Sequence, residues 1–118
     1  MTIPSVLIVE DDPRLNEIIV ITLQEDFEIE SCKDGTTALE QLKKFVPQIV
    51  VLDLNLPGTA GTDILAYIRS EERLAGTRVI IATADERQAE ILTDEADIVL
   101  LKPVSPSQLR ELALRISK

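Results

Sequence analysis

Residues 49–58 have the sequence IVVLDLNLPG, and this stretch decides the fold. The apolar residues Ile49 to Leu52 follow one another without a polar break, which is typical of a strand covered on both faces, as in a parallel sheet. Asp53 comes directly after them and precedes a Pro-Gly turn. Asp53 is therefore predicted at the carboxyl end of a buried strand, which is the edge where open α/β sheets bind ligands.

The composition of the chain limits the classes of function open to it. Its 118 residues suffice for one domain, and 45% hydrophobic with 28% charged residues is typical of a globular protein. A formal net charge of −9 argues against direct binding to nucleic acid or to an anionic membrane surface. The lack of histidine excludes His-based catalysis and His-ligated metal sites. Cys32 is the single cysteine, and neither a signal peptide nor a membrane span is evident, so a cytoplasmic location is expected.

Four further stretches of the chain predict strands. The continuous apolar runs at residues 6–9 and 79–82 indicate buried strands, and the run at residues 98–101 indicates a fifth strand. Apolar and polar residues alternate over residues 27–30, which favours a strand exposed on one side at a sheet edge.

Apolar residues at helical spacing predict five helices between and after these strands. Asp12 and Pro13 are expected to cap and begin the first helix, and Ser105 and Pro106 the last. A short helix is predicted over residues 86–93. The predicted inward residues of the five helices are Leu15, Ile18, Ile19, Thr22 and Leu23; Ala38, Leu39 and Leu42; Ile64, Leu65 and Ile68; Ala89 and Leu92, with Ile91 beside them; and Leu109, Leu112, Ala113 and Ile116.

Five strands that alternate with five helices predict an α/β fold. We expect a doubly wound parallel sheet in three α/β/α layers, because right-handed crossovers place helices on both faces. Parallel strands all end at the same edge of a sheet, and polar residues follow several of the predicted strands directly. The residues expected to meet at this carboxyl edge are Glu10, Asp11, Asp53, Thr83 and Lys102.

These side chains together suit phosphoryl chemistry. Three neighbouring carboxylates repel one another unless a cation compensates their charge. Oxygen ligands without histidine or paired cysteine favour a hard divalent ion, with Mg²⁺ as the first candidate. Lys102 and Thr83 offer an ammonium and a hydroxyl to the oxygens of a transferring phosphoryl group. Asp53, central among the strands, is the candidate nucleophile, since a carboxylate can form an aspartyl-phosphate.

The motifs of the chain, taken together, resemble the CheY-like receiver domain of two-component response regulators over nearly the whole length. This resemblance implies the flavodoxin-like strand order 2-1-3-4-5. It also implies one receiver domain over residues 1–118, without an effector domain, that catalyses only its own phosphorylation and dephosphorylation. The residues that carry the resemblance are Leu7-Ile8-Val9-Glu10-Asp11-Asp12-Pro13, Asp34-Gly35 with Ala38-Leu39, Val51-Leu52-Asp53-Leu54-Asn55-Leu56-Pro57-Gly58, Thr83-Ala84 and Lys102-Pro103.

The resemblance assigns a metal-binding role to four residues. Asp11 would touch Mg²⁺ or Mn²⁺ directly, and Glu10 would bind it mainly through water. Asp53 and the backbone carbonyl of Asn55 would be the further ligands.

The resemblance also assigns residues to the phosphoryl group, which Asp53 would accept. Thr83 would be the switch hydroxyl, and the small side chain of Ala84 would let a backbone N–H approach the phosphoryl oxygens. Lys102 would bridge to one of these oxygens, and a cis peptide is implied before Pro103.

The expected partners follow from the same resemblance. A histidine kinase or a histidine phosphotransfer protein would donate the phosphoryl group, and the receiver would then regulate a partner or an output domain. A homodimer through helix 4, strand 5 and helix 5 is a further expectation. Val99 stands where many receivers carry an aromatic residue, Glu95 where glycine is common, and the stretch from Thr83 to Lys102 is shorter than in many relatives, so a modest conformational response is predicted.

Three alternatives stay open at the level of sequence. A phosphatase with a catalytic Asp53 would want a second aspartate two residues on, where this chain has Asn55. A nucleotide- or flavin-binding domain would want a glycine-rich loop after the first strand, where this chain is acidic. The third alternative is a phosphate-free scaffold with a decayed site. Each residue also has a plainer explanation, since Asp53 could form a turn and Lys102 could be a surface lysine.

Overall fold

In the computed structural model, which describes residues 3–117, five strands alternate with five helices. The strands are β1 (Ser5–Val9), β2 (Glu28–Cys32), β3 (Ile49–Asp53), β4 (Arg78–Thr83) and β5 (Ile98–Leu101). The helices are α1 (Pro13–Leu23), α2 (Gly35–Lys44), α3 (Gly61–Ser70), α4 (Glu86–Leu92) and α5 (Pro106–Ile116), with a short 3₁₀ turn at Glu72–Leu74. All strand pairs are parallel, and the order β2-β1-β3-β4-β5 confirms the predicted 2-1-3-4-5 topology.

Strand β3 is buried along its whole length, as its continuous apolar run predicts. Its alternate side chains enter two different hydrophobic clusters. Val50 and Leu52 pack in a cluster with residues of α2, α3 and α4, whereas Ile49 and Val51 pack in one with residues of α1 and α5. The helices therefore cover both faces of the sheet, which confirms the three-layer arrangement.

Strand β2 lies at the edge of the sheet, as predicted, but begins one residue later and extends further than expected. Phe27 was assigned to this strand, yet its backbone N–H donates to the carbonyl of Leu23 and so completes the turn that ends α1. Glu28 and Glu30 are exposed on the strand itself. The alternating pattern was therefore right about the edge and wrong about the bounds.

Two predicted core residues face solvent instead. Ile18 is 46% exposed, because the inward face of α1 runs through the buried residues Asn16, Ile19 and Leu23. Ile91 is 69% exposed, because α4 has only seven residues and turns Leu92 toward the core.

The predicted helix caps are confirmed. Asp12 accepts hydrogen bonds from two backbone N–H groups of α1, and Ser105 accepts one from Gln108 in α5. Asp34, expected only as part of a turn, caps α2 by accepting from the backbone N–H of Thr37 at 2.7 Å. None of the helices within residues 3–117 has the length and apolar character that crossing a bilayer requires.

The amino edge of the sheet is held by a charged network around Asp97, which precedes β5. One oxygen of Asp97 accepts from the backbone N–H of Val79 at 2.7 Å and from Arg69 at 3.0 Å, and the other lies 3.3 Å from Arg78. Burial alone would raise the pKa of Asp97, but these donors hold the pKa below its ordinary value. We call Arg69, Arg78 and Asp97 the amino-edge clamp, because they join α3 and the beginnings of β4 and β5.

Candidate functional site

Three charged side chains at the ends of three strands meet at the carboxyl edge of the sheet. Nζ of Lys102 lies 3.0 Å from Oε1 of Glu10 and 3.3 Å from Oδ2 of Asp53. The carboxylate side chains are only 2% and 4% exposed, while Lys102 is 23% exposed. The predicted meeting of these residues is confirmed, because β1, β3 and β5 end at the same edge of one parallel sheet.

Asp11 completes a cluster of three carboxylates. Oxygen atoms of Glu10, Asp11 and Asp53 all lie within 4.8 Å of one another. Asp11 is exposed, so the cluster opens to solvent on its side. A set of oxygen ligands with one open side fits a hard divalent ion that keeps several of its waters, as Mg²⁺ does.

The protonation of the cluster reflects its burial. Burial raises the pKa of Glu10 to about 7, the negative charge of Asp53 adds to this, and the backbone N–H of Asp12 and the ammonium of Lys102 oppose it. Burial alone would lower the pKa of Lys102, but its hydrogen bond to Glu10 and its attraction to Asp53 raise the pKa overall. Lys102 is therefore charged at neutral pH, and a bound cation would favour ionised Glu10.

The loop that follows Asp53 packs tightly against the end of β3. The backbone N–H of Asn55 donates to Oδ1 of Asp53 at 3.2 Å. Gly61 begins α3, and a Cβ at this position would lie 2.6 Å from the carbonyl oxygen of Asp53. Gly58 has a φ of 76°, which favours glycine because it lies in the left-handed region. Glycines thus let the loop turn close to Asp53 and leave Asn55 exposed beside it.

Thr83 ends β4 next to Asp53, since its neighbour Ala82 is the residue that pairs with Asp53. Thr83 is fully buried, and its Oγ1 accepts from the backbone N–H of Asp85 at 3.1 Å. Ala84 between them is exposed. Thr83 therefore connects the carboxyl edge to the residue that caps α4.

The peptide between Lys102 and Pro103 is cis, as the resemblance implied. The backbone N–H of Lys102 donates to the carbonyl of Thr83 at 2.8 Å. Lys102 is thus held on β4 by its backbone while its side chain reaches Glu10 and Asp53.

Asn16 at this edge was not identified from the sequence. It is 4% exposed, and its Nδ2 donates to the carbonyl oxygens of Glu10 at 2.9 Å and Cys32 at 3.2 Å. The available signal was an amide on the inward face of α1, three residues before Ile19 and seven before Leu23.

A family comparison is consistent with this geometry. The family model described as "Response regulator receiver domain" matches residues 6–114. The chain belongs to this family. Receiver domains of two-component systems interact with kinases or phosphotransfer proteins.

Individual proteins resemble this receiver domain in sequence and in fold. It is 33% identical to the DNA-binding response regulator MtrA of Mycolicibacterium smegmatis over an alignment of 108 residues that covers 88% of this chain and 46% of that protein. The signal receiver domain of the putative Luxo repressor protein from Vibrio parahaemolyticus superposes with a TM-score of 0.89 at 29% identity, covering 98% of this chain and 91% of that one. The response regulator TrrA from Thermotoga maritima, solved in complex with Mg²⁺-BeF, superposes with a TM-score of 0.85 at 26% identity. This superposition covers 96% of this chain and 98% of that one.

The receiver domain spans about half the length of the curated relatives that it matches. The DNA-binding function in the name of MtrA is a property of that protein and is not transferred to this chain.

Proposed function

We propose that this receiver domain accepts a phosphoryl group on Asp53 from a histidine kinase or a histidine phosphotransfer protein, with Mg²⁺ bound at the carboxyl edge. An oxygen of Asp53 attacks phosphorus, the bond from phosphorus to the donor imidazole nitrogen breaks, and the imidazole keeps the electron pair and takes up a proton. The observation that carries the proposal is the position of Lys102, 3.0 Å from Glu10 and 3.3 Å from Asp53, beside a cluster that opens at Asp11.

The metal would be held by carboxylates of Glu10, Asp11 and Asp53, with the backbone carbonyl of Asn55 as a further ligand. When bound, it would neutralise charge on the phosphoryl oxygens. The support is the set of three carboxylates within 4.8 Å and the Mg²⁺-BeF complex of the related TrrA.

Lys102 would exchange part of its contact with Asp53 for a phosphoryl oxygen. The hydroxyl of Thr83 accepts from Asp85, which leaves its own proton available to donate to a second oxygen. A backbone N–H beside the small Ala84 would serve the phosphoryl group in the same way. The domain would act on no substrate other than its own Asp53.

Intact mass spectrometry with Mg²⁺ and a small acyl-phosphate donor tests the proposal. The wild-type protein should gain one phosphoryl group, and Asp53→Asn should gain none. Asp12→Asn is the matched control, because asparagine can still cap α1 and Asp12 lies outside the carboxylate cluster. Full labelling of Asp53→Asn would overturn the assignment of the acceptor.

We also propose that the face formed by α4, β5 and α5 binds a second copy of the receiver after phosphorylation. In support, Ile91 on α4 is 69% exposed and Leu101 on β5 is 46% exposed. Light scattering should show a monomer without beryllofluoride and a dimer with it. Ile91→Ser should prevent the dimer. Ile3→Ser is the control, since Ile3 is 58% exposed and precedes β1, which β3 and β4 separate from β5. A dimer that persists in Ile91→Ser would place the interface elsewhere.

A further inference from the structure

Asn16 lies where strands β1 and β2 separate. Val9 and Cys32 are their last paired residues, and the backbone N–H of Glu10 still donates to the carbonyl of Cys32 at 3.1 Å. The pairing of the two strands ends at this point, and Nδ2 of Asn16 donates to the carbonyls of both Glu10 and Cys32. Both partners are acceptors, so the amide nitrogen must face them.

This carboxamide gives the Glu10 carbonyl the donor that the sheet no longer provides, and it adds a second donor to the Cys32 carbonyl. A buried carbonyl without a donor is unfavourable, and one N–H of the amide satisfies the Glu10 carbonyl while the other strengthens the bonding of the Cys32 carbonyl. Asn16 is 4% exposed, so water does not readily replace it. An apolar residue of the same size would pack in this position but would leave both carbonyls without this donor.

The Glu10 carbonyl belongs to the peptide that joins Glu10 to Asp11. Holding its oxygen at 2.9 Å fixes the plane of that peptide, and so the direction in which Asp11 leaves the sheet. The side chain of Glu10 is held as well, because its Oε2 accepts from the backbone N–H of Asp12 at 3.1 Å. The orientation of the two acids therefore depends on a residue that is not itself in the carboxylate cluster.

We propose that Asn16 is a positioning residue for the metal site, which orients Glu10 and Asp11 through their shared peptide without touching the ion. This inference rests on the proposed function, because it takes Glu10, Asp11 and Asp53 as the metal-binding residues. Partners that orient metal ligands typically change metal affinity by about 10- to 100-fold when they are removed.

The test compares Asn16→Leu with Thr77→Val. Asn16→Leu removes both donors and keeps the branched shape of the side chain. Thr77→Val is the matched control, because Thr77 is 1% exposed and its Oγ1 donates to the carbonyl of Pro47 at 2.8 Å, far from the acids and beside the start of β4. Calorimetry measures the Mg²⁺ dissociation constant of each variant, and acyl-phosphate labelling measures the Mg²⁺ concentration that gives half the maximal rate.

Asn16→Leu should weaken Mg²⁺ binding by about 10- to 100-fold and raise the half-saturating Mg²⁺ concentration by the same factor. The labelling rate at saturating Mg²⁺ should stay near the wild-type rate, because Asp53 and Lys102 are unchanged. Thr77→Val should melt at a lower temperature and keep the wild-type dissociation constant. A wild-type Mg²⁺ affinity in Asn16→Leu, or an equal loss in both variants, would overturn the proposal.

A second variant keeps the test decisive if Asn16→Leu does not fold. Asn16→Ser retains one hydroxyl donor, so its Mg²⁺ affinity should fall between those of the wild type and a variant with no donor, and an unchanged affinity would overturn the proposal. A wild-type protein that binds Mg²⁺ but gains no phosphoryl group would overturn the role of Asp53 alone, since the dissociation constants would still decide the role of Asn16. A wild-type protein without Mg²⁺ binding would overturn both.

Discussion

The two edges of the sheet hold charged networks of opposite balance. At the carboxyl edge, the single ammonium of Lys102 faces two almost fully buried carboxylates, and Asp11 adds a third. At the amino edge, the single carboxylate of Asp97 faces two guanidinium groups and also accepts a backbone N–H. One edge carries uncompensated negative charge, whereas the other satisfies its carboxylate several times over.

This difference appears in the pKa values. Burial raises the pKa of Glu10 to about 7, while the donors around Asp97 outweigh its burial and lower its pKa. The charged form of a carboxyl group is thus disfavoured at the carboxyl edge and favoured at the amino edge. The carboxyl edge therefore fits a cation, whereas the amino edge stabilises the fold through a carboxylate with several donors.

The largest effect is expected from breaking the amino-edge clamp. Asp97→Ala should lower the free energy of unfolding by about 2–3 kcal/mol, because it leaves the backbone N–H of Val79 without its acceptor and removes the carboxylate partner of Arg69 and Arg78. Urea denaturation measures this loss. The rise in melting temperature with Mg²⁺ should be the same as in the wild type, and its disappearance would show that the two edges are not independent.

A smaller effect of opposite sign is expected at the carboxyl edge. Glu10→Gln should raise the free energy of unfolding of the metal-free protein by about 1–2 kcal/mol at pH 8, because burial disfavours the charge of Glu10 and Asp53 still pairs with Lys102 in the variant. It should also reduce the increase in melting temperature that millimolar Mg²⁺ gives the wild type through binding to the folded state. Denaturation with and without Mg²⁺ measures both quantities. A metal-free Glu10→Gln that is less stable than the wild type would contradict the comparison.

The pH dependence of stability should separate the edges further. The pKa of Glu10 rises from 4.5 to about 7 on folding, so the folded protein binds a proton more tightly than the unfolded protein in this range. The contribution of protonated Glu10 to the free energy of unfolding is therefore lost as pH rises from 4.5 to 7. The pKa of Asp97 is below 3.8, so its contribution is present above pH 3.8 and is lost as pH falls through the folded-state value. Glu10→Gln should flatten the first loss and Asp97→Asn the second, as urea denaturation across pH will show. A slope that neither variant alters would assign the titration to other groups.

The smallest effect is expected in the response to a phosphoryl mimic. Beryllofluoride should change hydrogen exchange in residues 85–92, with little change at Val99 and none at the amino-edge clamp. Val99 is β-branched and half-buried, so it has no large rotamer swing available. Hydrogen exchange with and without beryllofluoride measures this directly. A response centred on Val99 would contradict the prediction.

The fold and the meeting of the acids were predictable, and the reason is topological. Each continuous apolar run predicts a strand that is buried on both faces. A parallel sheet then brings all the residues after its strands to one edge. Asn16 and Asp97 were not predictable in this way, because the backbone groups that they contact come close only after folding, as do the two arginines beside Asp97. Ile18 and Ile91 were misassigned because the rotation of a helix about its axis is decided by what it packs against.

The contact between Thr83 and Asp85 gives α4 a particular kind of dependence. A helix of seven residues has about two turns, so it has few internal hydrogen bonds to offset the entropy of its formation and relies on its cap. Asp85 is that cap, and its backbone N–H is held at 3.1 Å by the hydroxyl of Thr83. The order of an entire helix is therefore coupled to the position of one oxygen atom, Oγ1 of Thr83. A helix this short is expected to respond to the loss of its cap by unwinding more readily than by moving as a rigid rod.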